Sequence, residues 1–173
     1  MVAALRKVGV WIAYRLNRVY WWIRRPVVLG VRVLVSDGNQ VLIVRHSYRK
    51  GWFLPGGTPE LGESLAETAR RECKEETGVS VSNLTLLGIY SSLAGPESDH
   101  VAVFRGEVHG LGIEQASASR TPEVKSVRWV AADQLPDAMS AQTQLILQDW
   151  LQGRTGIYRV TGLTQRGAAS PEN

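Results

Sequence analysis

Gly57-Thr58-Pro59-Glu60-Leu61-Gly62-Glu63 leads, eight residues after Glu63, into Arg71-Glu72-Cys73-Lys74-Glu75-Glu76-Thr77-Gly78-Val79. Three glutamates fall within five residues, beside an arginine and just after a glycine-rich turn. Carboxylates that close repel one another, so a helix rarely gathers them on one face without a cation to hold. Glu72 and Glu76 are four apart, stacked on a helix and separated by about 40° around its axis. Glu75 lies one step to the side. The pattern Gly-x5-Glu-x7-Arg-Glu-(apolar)-x-Glu-Glu-x-Gly-(apolar) constrains nine positions across 23 residues, which makes a chance match improbable.

Hard oxygen ligands of this kind suit Mg²⁺, with Mn²⁺ as a substitute, ions that keep several waters and bridge to phosphate. A diphosphate would be repelled by bare carboxylates, so the ion neutralises both sides. It also polarises phosphoryl oxygens and lowers the pKa of a bound water, which favours attack on one phosphorus of a P–O–P bridge. Arg71 can hold a carboxylate in a two-pronged grip, so orienting its neighbours is its expected task. Glu63 is placed to act on the same network from the loop. Gly56 and Gly57 allow a sharp turn and close approach of the backbone to a metal. The plainer reading is a charged surface helix with Glu67–Arg71 and Arg71–Glu75 pairs. It leaves the Pro55-Gly56-Gly57 approach, the spacing of Glu63 and the Gly78 stop without a reason.

This spacing resembles the Nudix box of nucleoside-diphosphate-X hydrolases, with Trp52-Phe53-Leu54-Pro55-Gly56-Gly57 as its approach. The resemblance covers about residues 28–152 and implies an α/β/α sandwich around a mixed β-sheet. It implies a metal site made by Glu72, Glu75 and Glu76 with the Gly56 carbonyl. A further glutamate outside the box often serves as a ligand or general base. Glu123, six residues before Trp129, is the best match, against the alternative of an exposed edge-strand acid. Glu97 and Asp99 are weaker candidates for the base. The catalytic set expected from the resemblance is therefore Glu75, Glu76 and Glu123, supported by Arg71 and Glu63. Cys73 takes a slot the family fills with Ile, Leu or Val, and buried Cys behaves as a small hydrophobe. Pro96, 17 residues after Val79, lies near the position where the family's ADP-ribose pyrophosphatases carry a proline. Tyr48, Trp52 and Tyr90 are each candidates to stack on a base and equally candidates for packing.

The 173 residues suit one domain with a substantial core, and 44% hydrophobic with 21% charged residues is ordinary for a globular chain. The single cysteine, Cys73, excludes an intramolecular disulfide and fits a reducing compartment, so a cytoplasmic location is expected. His46, His100 and His109 are scattered and read as structural or surface residues. Residues 1–36 hold seven basic side chains (Arg6, Lys7, Arg15, Arg18, Arg24, Arg25 and Arg32) and no acid, while the remainder carries 13 basic and 16 acidic residues. The positive charge thus sits apart from the motif, and nucleic acid is not the expected partner.

Residues 5–23 read as an amphipathic helix, with Ile12, Leu16, Val19 and Ile23 in one stripe and Pro26 ending it. It is too interrupted to span a membrane. Its Trp, Tyr and Arg content suits peripheral contact with a membrane interface, and its stripe alternatively packs on the domain or on a second copy in a homodimer. The expected organisation is a basic helical extension over 1–26, the hydrolase domain over 27–152, and a tail over 153–173 that is partly disordered. Within the domain a hairpin is expected over 27–45, a helix over 65–77, strands over 84–92, 100–108 and 124–131, and a helix over 142–151. Ser64 and Glu67 form a capping box, and Gly78 is a left-handed stop.

Three functions fit these observations. The first is a Mg²⁺-dependent hydrolase of a nucleoside diphosphate linked to another group: a nucleotide sugar, ADP-ribose or a (d)NTP. The second is a non-catalytic module of the same fold that senses such a ligand, although a pure binder has no need of the whole glutamate set. The third is a membrane-surface or RNA-associated protein acting through residues 1–36.

Overall fold

The computed structural model describes Arg15 and residues 27–93, 98–108 and 121–161. The helix expected over 5–23 otherwise lies outside the described residues, as do Pro96, Glu97 and His109. Among the described residues eight elements follow one another: β1 (Val27–Asp37), β2 (Gln40–His46), α1 (Leu65–Thr77), β3 (Val81–Ser92), β4 (Ser98–Val108), β5 (Val124–Ala131), α2 (Ala141–Leu151) and β6 (Ile157–Thr161). The strands form one six-stranded sheet in the order β5-β2-β1-β4-β3-β6. β1 runs parallel to β4 and β3 parallel to β6, while the other neighbours are antiparallel, so the sheet is mixed as expected.

Alternation along β1 explains the layers, because successive side chains point to opposite faces. Val31, Val33 and Val35 join Ala69 and Cys73 of α1 in one buried cluster. Leu34, on the other face, joins Leu54, Tyr90, Val101, Val103, Ile146 and Leu147, the last two from α2. Each cluster removes its buried side chains from water, worth about 1.5–3 kcal/mol per large apolar residue. The result is the α/β/α sandwich, with Trp52 and Tyr90 committed to its core at 6% and 2% exposure. Neither is available to stack on a base.

Local chemistry sets the bounds of α1. The Ser64 side chain accepts from the Glu67 N–H at 3.3 Å, and Glu67 accepts from the Ser64 N–H at 2.9 Å. At the other end Gly78 adopts φ 76° and donates to the Lys74 carbonyl at 2.9 Å. Two stretches depart from the sequence reading. β3 begins at Val81 and not at Leu84, because a register shift between Ser82 and Thr85, with Asn83 at φ 45°, interrupts the pattern. Ile157–Thr161, expected to be tail, is a strand that extends the sheet by pairing with β3. Its anchor is the buried Asp149 of α2, which accepts from Arg159 Nε at 2.7 Å, from Arg154 at 3.1 Å and from the Tyr90 hydroxyl at 3.1 Å.

Candidate active site

β1 and β2 pair through Ser36–Val41 and Asp37–Gln40, next to their turn. Further along, the segment Phe53–Gly57 pairs with both strands. The Phe53 N–H and carbonyl exchange hydrogen bonds with Val44 at 2.9 and 2.8 Å, while Val33 donates to the Pro55 carbonyl at 2.9 Å and Val31 to that of Gly57 at 2.8 Å. The glycine turn is therefore pinned by the sheet itself. At Gly56 the backbone takes φ 143°, and a Cβ there would meet the Val31 carbonyl, so only glycine fits. At Gly57 a Cβ would collide with the Glu72 carboxylate, which comes directly against the turn.

Glu76, 6% exposed, reaches the same turn from α1, and its Oε2 accepts from the Gly56 N–H at 2.9 Å. Burial pushes its carboxyl up to about 7, against the pull of the Arg32 charge and of the Gly56 N–H. Burial also raises Glu72, opposed by Arg71. Arg71 is the hub of the cluster. Its Nε and Nη2 each donate at 2.8 Å to the two oxygens of Glu63, and Nη1 donates to Glu72 at 2.9 Å and to Glu75 at 3.4 Å. These bonds hold Glu63 down to about 2. The expected Arg71–Glu75 pair is present, whereas Glu67 turns to Ser64.

Glu123 stands exposed in the turn before β5, its carbonyl accepting from the Ser47 N–H at 2.7 Å. Its charge still bears on Glu76 and on Tyr48, raising both. Asp99 lies in β4 and its charge is felt at Arg32. Among the described residues no three His, Cys, Asp or Glu side chains already converge on one point. Glu63, Glu72 and Glu75 are gathered by Arg71, and Glu76 by the Gly56 N–H. The chemistry of the cluster nonetheless suits a hard divalent cation: the side chains of Glu72, Glu75 and Glu76 offer only oxygen donors.

Two residues at the site escaped the sequence reading. By sequence Arg32 belongs to the basic N-terminal charge, apart from the motif. In β1 it turns inward and donates from Nη1 to the Gly56 carbonyl at 2.6 Å and to the Leu54 carbonyl at 3.2 Å. Its signal was available, since it is the charged member of Val31-Arg32-Val33-Leu34-Val35, an otherwise apolar strand. His46, 4% exposed, brings Nδ1 to 3.7 Å from Glu76 Oε1 and has no hydrogen-bond partner there. Burial, then the Arg32 charge, lowers its pKa to about 3, so the ring is neutral and the contact is not an ion pair. His100 accepts from or donates to the Ser91 hydroxyl at 2.7 Å. Cys73 is fully buried with its thiol raised to about 12, an inert packing residue.

Comparison with known proteins agrees with this geometry. The family profile described as NUDIX domain matches residues 24–150. A Bacillus subtilis protein named "Putative 8-oxo-dGTP diphosphatase" is 31% identical over 125 residues, which is 72% of this chain and 80% of that one. The ADP-ribose pyrophosphatase of Methanocaldococcus jannaschii is 29% identical over 131 residues, 74% of this chain and 75% of its own. The crystal structure of a NUDIX hydrolase from Nitrosomonas europaea shares the fold with a TM-score of 0.65 at 21% identity, covering 78% of each chain. A glycine turn pinned in the sheet, glutamates brought to it by the following helix, and a profile match over most of the chain lead to one assignment: this protein belongs to the Nudix family of hydrolases.

Proposed function

We propose that this chain cleaves the pyrophosphate linkage of a nucleoside diphosphate joined to another moiety, a nucleotide sugar, ADP-ribose or a (d)NTP, with Mg²⁺ or Mn²⁺ as cofactor. The observation that carries the proposal is the meeting of Glu72 and Glu76 at the Gly56–Gly57 turn, one carboxylate against Gly57 and the other on the Gly56 N–H. Glu72, Glu75, Glu76 and Glu123 would hold the ion with the Gly56 carbonyl. When bound, the ion polarises the diphosphate and makes a water nucleophilic near neutral pH. Arg71 orients Glu72 and Glu75, and Glu63 fixes Arg71 in turn. Glu123 is the residue proposed as the further ligand or general base, since its charge is felt at Glu76.

The substrate class rests on loops outside the box, because chemistry and specificity reside in different parts of such a fold. A panel of ADP-ribose, nucleotide sugars, dinucleoside polyphosphates and dNTPs, run with Mg²⁺ in ¹⁸O-water, tests the proposal. One class is expected to be hydrolysed, with label in a single product phosphate. No turnover across the panel with either cation would contradict it. The basic aromatic segment 1–26 is proposed to make peripheral membrane contact from the cytoplasmic side, and co-sedimentation of the full chain and a 27–173 truncation with anionic liposomes tests this. Equal partitioning of the two would remove that role.

A further inference from the structure

Gly56 is engaged through both of its backbone polar groups. Its N–H donates to Glu76 Oε2 at 2.9 Å, and its carbonyl accepts from Arg32 Nη1 at 2.6 Å. Arg32 also donates to the Leu54 carbonyl at 3.2 Å, two residues earlier on the same segment. Arg32 shares its face of β1 with Leu34, which packs in the apolar core, so the guanidinium lies at the margin of that core. Phe53 lies under it, ring centroid 6.0 Å away, and Arg49 stacks on the same ring at 4.8 Å. A charge in this position needs an opposite one, and the Glu76 carboxylate is the strongest counter-charge acting on it.

We propose that Arg32 is a positioning residue that serves as the resident cation of the Gly56–Glu76 corner, so that divalent-ion binding at the Gly56 oxygen is an exchange of one cation for another. The proposal rests on the hydrolase reading above, which assigns the Gly56 carbonyl to the ion. Two cations on one carbonyl oxygen repel strongly in a partly desolvated site, so the guanidinium yields when the ion arrives. Before that, Arg32 offsets the Glu76 charge and holds the Gly56 carbonyl in place. The corner is preformed without metal, and its affinity for metal is held down by the charge already there.

The test is a titration of the full chain with Mn²⁺ alone, free and bound ion read by electron paramagnetic resonance. Wild type, Arg32→Met, Arg32→Gln and Arg32→Lys are compared, with near-ultraviolet circular dichroism to verify folding. Removing the guanidinium tightens Mn²⁺ binding by about tenfold, the equivalent of one charge-assisted hydrogen bond and its charge. Arg32→Lys retains the cation and stays close to wild type. Arg32→Gln keeps a donor for Gly56 without charge, and its tightening decides the matter even where the methionine variant does not fold. Equal or weaker binding by folded Arg32→Met or Arg32→Gln overturns the exchange and leaves Arg32 a brace for the turn. Absence of Mn²⁺ binding in every protein, wild type included, overturns the metal reading and the exchange together.

Discussion

Arg71 grips Glu63 through two parallel hydrogen bonds of 2.8 Å, while its remaining nitrogen reaches Glu72 at 2.9 Å. A loop carboxylate thereby orients a helix carboxylate nine residues away. Lysine has the charge but not the planar fork. Arg71→Lys is expected to lower kcat by roughly tenfold with the fold retained, the scale of a lost charge-assisted bond. Side-chain NMR titration checks the cause: Glu63, held down to about 2 by Arg71, should move back toward the ordinary carboxylate value.

Gly57 leaves the space that the Glu72 carboxylate occupies. Gly57→Ala must push that carboxylate aside, and its backbone conformation is otherwise open to alanine. A displacement on the order of 1 Å costs about a hundredfold in rate. The expected result is a loss of that size in kcat/KM with little change in thermal midpoint. An equal loss of stability would place the effect in the fold.

Glu76 should make the metal-free protein lose stability from mild acid to neutral pH. Its folded pKa of about 7 stands above the ordinary 4.5, so its stabilising term is complete below 4.5 and lost as pH rises through 7. The lost term is on the order of 3 kcal/mol. His46 acts oppositely: lowered to about 3, it costs stability as pH falls from 6.5 toward 3. Urea unfolding in EDTA should therefore show wild type losing stability relative to Glu76→Gln between pH 5 and 8. A constant difference between the two proteins would contradict the assignment.

Asp149 ties β6 to α2 and β3, accepting from Arg159, Arg154 and Tyr90 while 1% exposed. Asp149→Asn leaves partly exposed arginines that regain water, so the expected cost is about 2 kcal/mol, the worth of a hydrogen bond to a charged group. Equilibrium unfolding measures it, and hydrogen exchange should report loosening at Ile157–Thr161 first.

What the chain disclosed by itself follows the range of the interactions involved. The capping box of Ser64 and Glu67, the Gly78 stop and the stacked Glu72 and Glu76 all depend on neighbours within one or two helical turns, and each was legible. The hairpin was legible for the same reason. Arg32 was missed because its partner Gly56 lies 24 residues away, across a segment whose course the sequence does not declare. His46 looked like a scattered histidine until the sheet brought it to Glu76. β6 escaped because its partner β3 and its clasp on Asp149 are both supplied by tertiary structure, while glycine and threonine around it read as tail. Asn83 concealed the start of β3 by a local break in the alternation.

The most direct test of the account is single-turnover hydrolysis of ADP-ribose, nucleotide sugars and dNTPs by wild type, Glu72→Gln and Glu76→Gln, with Mg²⁺ and with EDTA. Wild type is expected to hydrolyse at least one substrate class only with the cation present, and Glu76→Gln, still folded, to lose at least about a hundredfold in rate. Wild-type rates from both glutamine variants with Mg²⁺ present would contradict it.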